Sequence, residues 1–149
     1  MIIRKAQIND LESIFSLICE LEGCSLDKEG FVKVYLHNIS QANIHYLVMV
    51  ELDREKIVGF VSVHIQHLLH HVSKIAEIQE IIVAKEFQGS GIGHRLFEKV
   101  KNISRENDCT QIEVCCNRKR EKSHAFYEKL GMNQSHFKFT LELNHTSFC

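Results

Sequence analysis

The sequence lacks proline, tryptophan, any C-x-x-C pair and any apolar run of membrane-spanning length. The missing proline and tryptophan exclude no function, but without a C-x-x-C pair no zinc-finger spacing can be drawn. A transmembrane helix needs about 20 consecutive apolar residues, so we expect no membrane segment and no membrane partner. Residues 1–5 become polar too early for the apolar core of a signal peptide, and we therefore expect a cytoplasmic protein.

No charge of one sign dominates the chain either. Lysine and arginine total 18 and aspartate and glutamate 19, which leaves a formal net charge of -1. Binding to nucleic acid through bulk positive charge is therefore not expected. The composition, 44% hydrophobic and 25% charged, is typical of a globular protein with one core. The length of 149 residues predicts a single domain over residues 1–149.

The spacing of apolar residues predicts the element order β-α-α-β-β-β-α-β-α-β. This mixture predicts an α/β fold whose sheet is partly antiparallel. Strands are expected at residues 2–8, 45–52, 57–68, 73–83, 110–116 and 136–143, and helices at 11–21, 28–38, 91–107 and 121–130.

A glycine-rich turn, residues 88–93, joins the apolar strand at 73–83 to the long helix that follows. Glycines let successive backbone N–H groups point into one hollow, and the helix N-terminus adds positive dipole there, which suits a pyrophosphate. The alternative is a tight turn whose glycines serve only close packing. The turn lacks the Lys-Ser/Thr pair of a P-loop and does not form a dinucleotide-binding G-x-G-x-x-G.

Two motifs carry a family resemblance. The pattern Gln88-x-x-Gly91-x-Gly93 resembles the Gln/Arg-x-x-Gly-x-Gly/Ala signature of the GNAT N-acetyltransferase superfamily, and residues 123–132 resemble its A-x-x-F-Y-x-x-x-G-F/M helix. Residues 18–21, 64–72, 77–80 and 134–140 further resemble the aminoalkylphosphonate N-acetyltransferases of bacterial phosphonate metabolism. The resemblance implies a GNAT-like α/β fold, with a mixed, mostly antiparallel sheet flanked by helices.

The same resemblance implies an enzyme that moves the acetyl group of acetyl-CoA to the primary amine of a small aminoalkylphosphonate. The pyrophosphate of the donor would bind at the turn, its pantetheine arm would follow the preceding strand, and an asparagine after the next strand would contact it. That asparagine can equally be a turn residue. The implied cofactor-binding residues are Ile82, Val83, Gln88, Gly89, Ser90, Gly91, Ile92, Gly93 and Asn117.

Acetyl transfer to an amine needs a group that accepts a proton. A primary alkylamine has a pKa near that of lysine, about 10.4, and arrives at neutral pH as ammonium. A buried carboxylate suits this role, and Glu77 and Glu80 interrupt an otherwise apolar strand. On a regular strand they would point to opposite faces, but a bulge would change that. Glu77 is the favoured base, and the alternative is an ion pair with a cationic side chain.

The leaving thiolate needs a proton in turn. Tyr127 lies where the family places its acid, and the alternative is a tyrosine that only packs beside Phe126. The resemblance also implies that a backbone N–H, that of Val83, meets the developing oxyanion.

Four histidines, His64, His67, His70 and His71, fall within eight residues just before the carboxylate-bearing strand. They can bind a phosphonate, hold a divalent metal that bridges to it, or form a solvated loop, and their spacing matches no recognised metal site. We expect His64, His70 and His71 to bind substrate. The metal stays undefined.

Other functions compete with this one. The chain could acetylate another small amine, such as a polyamine, an amino sugar or an aminoglycoside, or it could bind acyl-CoA without turnover. Many members of the family are dimers, so the resemblance also implies that the closing strands of two copies can pair into a homodimer.

Overall fold

The computed structural model describes residues 1–144 and contains one five-stranded sheet with helices on both faces. The strands are β1 (Ile2–Lys5), β2 (Ile44–Glu51), β3 (Lys56–Leu68), β4 (Ser73–Val83) and β5 (Cys109–Val114). The helices are α1 (Leu11–Glu22), α2 (Lys28–Ile39), α3 (Ile92–Glu106) and α4 (Glu121–Lys129).

The strands lie side by side in chain order. β1 to β4 pair antiparallel, and β5 runs parallel to β4 because α3 crosses from the end of one to the start of the other. The predicted α/β class, with a mixed and mostly antiparallel sheet flanked by helices, is confirmed.

Two apolar layers hold the helices to the sheet, because alternate residues of each strand face opposite sides. On one face, α1 and α2 pack through Ile14 and Tyr35 against Phe60 and neighbouring residues. On the other face, Leu96 and Val100 of α3 pack against β3 and β4. The predicted α3 stripe, Ile92, Leu96, Phe97, Val100 and Ile103, is buried along its full length.

The first strand is shorter than expected and ends at Lys5. A single turn of 3-10 helix, Ile8–Asp10, follows because the Asp10 carboxylate accepts hydrogen bonds from the Gln7 N–H, at 2.7 Å, and from the Arg4 guanidinium. This turn sets the entry into α1.

The predicted closing strand at 136–143 is wrong for the isolated chain. Within residues 1–144 the segment pairs with no other strand. Its alternating apolar side chains, Phe137, Phe139, Leu141 and Leu143, are 82–93% exposed. Alternation marks a strand with one apolar face, but a strand also needs an edge to pair with.

Over the same residues, no helix has the length and apolar character needed to span a bilayer.

Candidate active site

A β-bulge in β4 brings the two candidate carboxylates to one face of the sheet. Along the β3–β4 ladder Glu80 lies opposite Ser62 and Glu77 opposite His64, so Gln79 is an extra residue on β4. Ser62 and His64 are two residues apart on β3 and share a face, and their partners therefore share it as well. The bulge expected as one of two possibilities is present, and both carboxylates face the side of α1 and α2.

Beyond the bulge, β4 and β5 separate. Their pairing ends at Ile78 and Val114, whereas β4 continues to Val83 with β3 alone as its partner. The gap is a cleft of about 210 Å³, closed on its far side by α4. We call it the donor cleft; its lining is Leu21, Glu22, Gln79, Glu80, Ile81, Cys115, Cys116, Asn117, Arg120, Ser123 and Tyr127.

A larger cavity of about 460 Å³ lies between the sheet and helices α1 and α2. We call it the acceptor cavity. Its walls are mainly apolar and aromatic, and its ionisable lining residues other than tyrosine are Asp27, His64 and Glu80, with no lysine or arginine among them. The other lining residues are Ile14, Ile18, Leu26, Gly30, Phe31, Val34, Tyr35, Asn38, Tyr46, Phe60 and Gln79.

Gln79 and Glu80 line both the donor cleft and the acceptor cavity. The bulge therefore forms the partition between the two spaces, and Glu80 is the carboxylate at their junction. A group held there can touch molecules that enter from either side.

The surroundings of Glu80 favour its neutral form. Burial raises the pKa of Glu80 above its ordinary value, while the hydrogen bond from the Ser62 hydroxyl and the nearby His64 partly offset that rise. Ser62 is fully buried, and its oxygen in turn accepts a hydrogen bond from the Glu80 N–H at 3.2 Å. A carboxylate with a raised pKa is a stronger proton acceptor than an ordinary glutamate.

Glu77 lies outside both linings. Its carboxylate accepts a hydrogen bond from the Gln66 amide at 2.9 Å and contacts the Cys115 thiol at 3.8 Å. The structure thus separates the two carboxylates by environment, with Glu80 and not Glu77 at the junction.

Tyr127 projects from α4 into the donor cleft. Burial raises the pKa of its phenol to about 12, and its hydroxyl bonds to no side chain or backbone group of residues 1–144. The ring also packs against Phe126, with centroids 5.4 Å apart. The hydroxyl therefore stays protonated at working pH and can donate to a molecule in the cleft.

The glycine turn between β4 and α3 has the conformation its sequence predicts. Gly89 and Gly91 have φ of +78° and +83°, and Gly91 directly precedes the first turn of α3. Gly93 has a different role, because an added Cβ would lie 3.3 Å from the Phe126 ring. Gln88, Gly89, Ser90 and Gly91 are exposed, so the N–H groups that begin α3 face solvent.

The other residues predicted to bind the cofactor lie in different places. Ile82 is buried against α1 and α2, and its neighbour Ile81 lines the donor cleft instead. The Val83 carbonyl accepts a hydrogen bond from the Gln88 amide at 3.0 Å. Asn117 lines the cleft and also caps a turn through a 3.0 Å bond from the Lys119 N–H, so the turn role is present and the contact with acetyl-CoA stays a prediction.

The histidines are not gathered at one place. His64 lines the acceptor cavity, but His70 and His71 lie at the far end of the β3–β4 hairpin, outside both spaces. There His71 approaches Glu113 at 3.4 Å. Among residues 1–144, no group of three or more histidine, cysteine, aspartate or glutamate side chains is arranged to hold a metal ion.

Sequence reasoning missed Ser62, which contacts Glu80 without lining either space, and several residues of the cavity wall. Ser62 had one available signal, as a small polar residue within an apolar strand. No signal in the sequence identifies Asn38 or Tyr46. The Asn38 amide donates a 2.7 Å hydrogen bond to the Tyr46 hydroxyl, and the position of both side chains in the wall of the acceptor cavity depends on how α2 packs on β2.

Residues 10–132 match the acetyltransferase (GNAT) family. The aminoalkylphosphonate N-acetyltransferase of Salmonella typhimurium is 36% identical over 141 residues, covering 95% of this chain and 90% of that protein. The glucosamine 6-phosphate N-acetyltransferase of Candida albicans is 28% identical over 107 residues, covering 71% and 70%.

A solved structure of a Trypanosoma brucei acetyltransferase superposes with a TM-score of 0.79 at 26% identity, covering 95% of this chain and 99% of that one. GNAT acetyltransferases take their acetyl group from acetyl-CoA. The exposed glycine turn and the cleft beside Tyr127 fit such a donor, because they offer free N–H groups and an open gap in the sheet. Together these findings show that the chain belongs to the GNAT family and is an acetyl-CoA-dependent N-acetyltransferase.

Proposed function

We propose that the enzyme acetylates the primary amine of a small aminoalkylphosphonate, with Glu80 as the group that accepts the proton of the amine. The observation that carries the proposal is the position of Glu80, which lines both the acceptor cavity and the donor cleft. A base must lie within hydrogen-bond reach of the nitrogen, and the nitrogen must reach the acetyl carbon. A side chain on the partition meets both conditions.

In this proposal the acceptor enters between α1 and α2, and its amine points toward Glu80. The raised pKa of Glu80 makes it a better acceptor for the ammonium proton. Ser62 holds the carboxylate in place from the opposite strand. Tyr127, on the other side of the partition, donates to the sulfur that leaves. The turn at 88–93 holds the pyrophosphate of acetyl-CoA through backbone N–H groups.

The phosphonate part rests on the Salmonella relative and on His64. A phosphonate is a multiple anion, and a cavity with no lysine or arginine must supply positive charge by another route. Within the lining, His64 is the candidate to donate a hydrogen bond to the phosphonate. His70 and His71 stay candidates only if the substrate or another part of the protein reaches the end of the hairpin.

Glucosamine 6-phosphate is the second candidate, since a relative named for that substrate matches most of the chain. Both acceptors join a primary amine to a phosphorus-bearing anion, so they share the same two requirements. They differ in bulk, but the cavity volume of about 460 Å³ does not decide between them.

A panel of acceptors tests the proposal, with release of the coenzyme A thiol as the signal. The panel is 2-aminoethylphosphonate, glucosamine 6-phosphate, glucosamine, a polyamine and propylamine, each with and without chelator. We expect kcat/KM for the phosphonate to exceed that for propylamine by about 100-fold, the size of one lost charge-assisted contact. Equal values for the two would remove the phosphonate and leave the acetyltransferase.

Two histidine variants sharpen the same experiment. His64→Ala should raise KM for the phosphonate and leave KM for propylamine nearly unchanged. His70→Ala is the matched control, because His70 lies outside both linings. If His70→Ala raises the phosphonate KM as much as His64→Ala does, the substrate reaches the hairpin end and the placement in the acceptor cavity is wrong.

A further inference from the structure

One side of the acceptor cavity is a continuous row of aromatic rings, which we call the aromatic wall. It runs from Phe31 and Tyr35 of α2 through Tyr46 of β2 to Phe60 of β3, and all four residues line the cavity. Successive ring centroids lie 6.2, 5.5 and 5.4 Å apart. Aromatic pairs prefer separations of about 4.5–7 Å, so the rings hold one another in place. The aromatic wall is therefore a preformed apolar surface for a molecule that enters the cavity.

The hydroxyls of the two tyrosines are engaged with the protein. The Tyr35 hydroxyl donates a hydrogen bond to the Gln7 carbonyl at 2.7 Å, and the Tyr46 oxygen accepts one from the Asn38 amide at 2.7 Å. Burial raises the pKa of both phenols, so neither carries a charge at neutral pH. The tyrosines therefore offer a bound molecule mainly ring carbon. A sugar brings a hydroxyl on most of its carbons, and ring faces leave such hydroxyls without partners.

The register of the sheet places this surface near the candidate base. Ser62 of β3 lies opposite Tyr46 on one side and opposite Glu80 on the other, so the three residues form a row across the sheet. Neighbouring strands are about 4.8 Å apart, which puts the backbones of Tyr46 and Glu80 roughly 10 Å from each other. Phe60 and His64 lie two residues to either side of Ser62 and share its face. A molecule whose amine meets Glu80 therefore reaches the aromatic wall through a short carbon chain.

We propose that the acceptor carries an aryl group that packs on the aromatic wall while its amine meets Glu80, a placement that rests on the proposed function. Eight of the fourteen lining residues have apolar or aromatic side chains, and three have an ionisable group other than a phenol. A two-carbon aminoalkylphosphonate can satisfy the ionisable groups but has only two carbons with which to contact the wall. An aryl group also uses the apolar majority of the lining, because its transfer from water to such a surface is favourable.

Two pairs of acceptors, each differing by an aryl group, test the proposal, with release of the coenzyme A thiol as the signal. The first pair is propylamine and 3-phenylpropylamine. The second is 2-aminoethylphosphonate and 2-amino-3-phenylpropylphosphonate. We call the ratio of kcat/KM within a pair the aryl gain, and we expect it to be about tenfold or more in the first pair, since a single methylene in a hydrophobic pocket is already worth about that much. A lower KM should account for most of it.

Variants of the cavity lining separate packing on the wall from a general loss of activity. Phe31→Ala removes one ring and should lower the aryl gain about fivefold. The gain compares two acceptors on one preparation, so it does not depend on the fraction of folded enzyme. Val34→Ser changes a lining residue that is 59% exposed, and it should lower the gain without disturbing the core. Leu36→Ser is the matched control, because Leu36 is exposed on the same helix and lies outside the lining.

An aryl gain below about twofold in the first pair would overturn the proposal. So would a gain that Phe31→Ala and Val34→Ser both leave unchanged, or one that Leu36→Ser lowers as much as they do. Comparison of 2-aminoethylphosphonate with propylamine tests the phosphonate separately. An aryl gain without any preference for the phosphonate would support the aryl group and remove the phosphonate from the proposed function. A preference for the phosphonate without an aryl gain would do the reverse.

Discussion

Glu80 and Ser62 are joined by two hydrogen bonds, and each residue satisfies a polar group of the other. The fully buried Ser62 has its hydroxyl satisfied by Glu80, and the carboxylate keeps part of its acidity through that hydroxyl. Burial raises the pKa of Glu80 and the hydrogen bond lowers it, so the serine adjusts the pKa of the carboxylate that we propose as the proton acceptor. The pKa of Glu80 therefore depends on both its burial and its hydrogen bond with Ser62.

The pH profile of kcat/KM should show the pKa of Glu80 and the effect that Ser62 has on it. A base is active when deprotonated, so activity should rise with pH through the pKa of Glu80. Ser62→Ala removes a bond that favours the charged form, and the rising limb should move to higher pH by about one unit. Glu80→Gln should abolish the limb and most of the activity, measured with one amine throughout.

Glu77→Gln is the matched control for Glu80→Gln, because the two glutamates share a strand and a face. It should leave the rising limb in place. If Glu77→Gln removes the limb and Glu80→Gln does not, the proton acceptor is Glu77, as the sequence alone favoured.

Tyr127 allows a second test at the level of one atom. Because burial raises the pKa of its phenol to about 12, the tyrosine is protonated at neutral pH and can donate toward the leaving sulfur. Tyr127→Phe should lower kcat by on the order of 10²–10⁴ while the affinity for acetyl-CoA, measured by titration without acceptor, stays nearly constant. Turnover within a few-fold of wild type would leave Tyr127 as a packing residue only.

In the turn between β4 and α3, Gly91 has a left-handed backbone and directly precedes α3. Gly91→Asp forces a side chain to adopt φ of +83° and adds a negative charge where we expect the pyrophosphate. The variant should lose the rise in melting temperature that acetyl-CoA gives the wild type, since a ligand stabilises only the state that binds it.

Gly131→Asp is the control for backbone strain. Gly131 has φ of +84° and, like Gly91, has open space around an added Cβ, but it lies beyond the end of α4. Both variants should melt earlier without ligand, and only Gly131→Asp should keep the shift. A normal shift in Gly91→Asp would contradict the assignment of the turn.

Across the whole molecule, the features predicted correctly from the sequence are those that depend on residues close together along the chain. The buried stripe of α3, the hairpin of β2 and β3, and the glycine turn each depend on a short stretch of chain, and the structure contains them. The positions of Gly91 and Tyr127 were available because both belong to motifs that are local.

The sequence could not predict features that depend on register or on distant packing. One extra residue, Gln79, decides which glutamate reaches the partition. His70 lies six residues beyond His64, which in an extended hairpin is a separation of about 20 Å. The strand predicted at 136–143 from its alternation is not present in residues 1–144, because alternation does not reveal whether a free sheet edge is there to pair with.

The position of Glu80 between the two spaces affects when a proton on its carboxylate can reach bulk water. Glu80 lines both the acceptor cavity and the donor cleft. In the proposed arrangement, with an amine in one and acetyl-CoA in the other, both of these approaches to the carboxylate are filled. If Glu80 is the acceptor, the proton it takes must then wait for a product to depart. In each catalytic cycle the proton would reach bulk water only after a product had left the acceptor cavity or the donor cleft. Until then, Glu80 would not exchange that proton with the buffer.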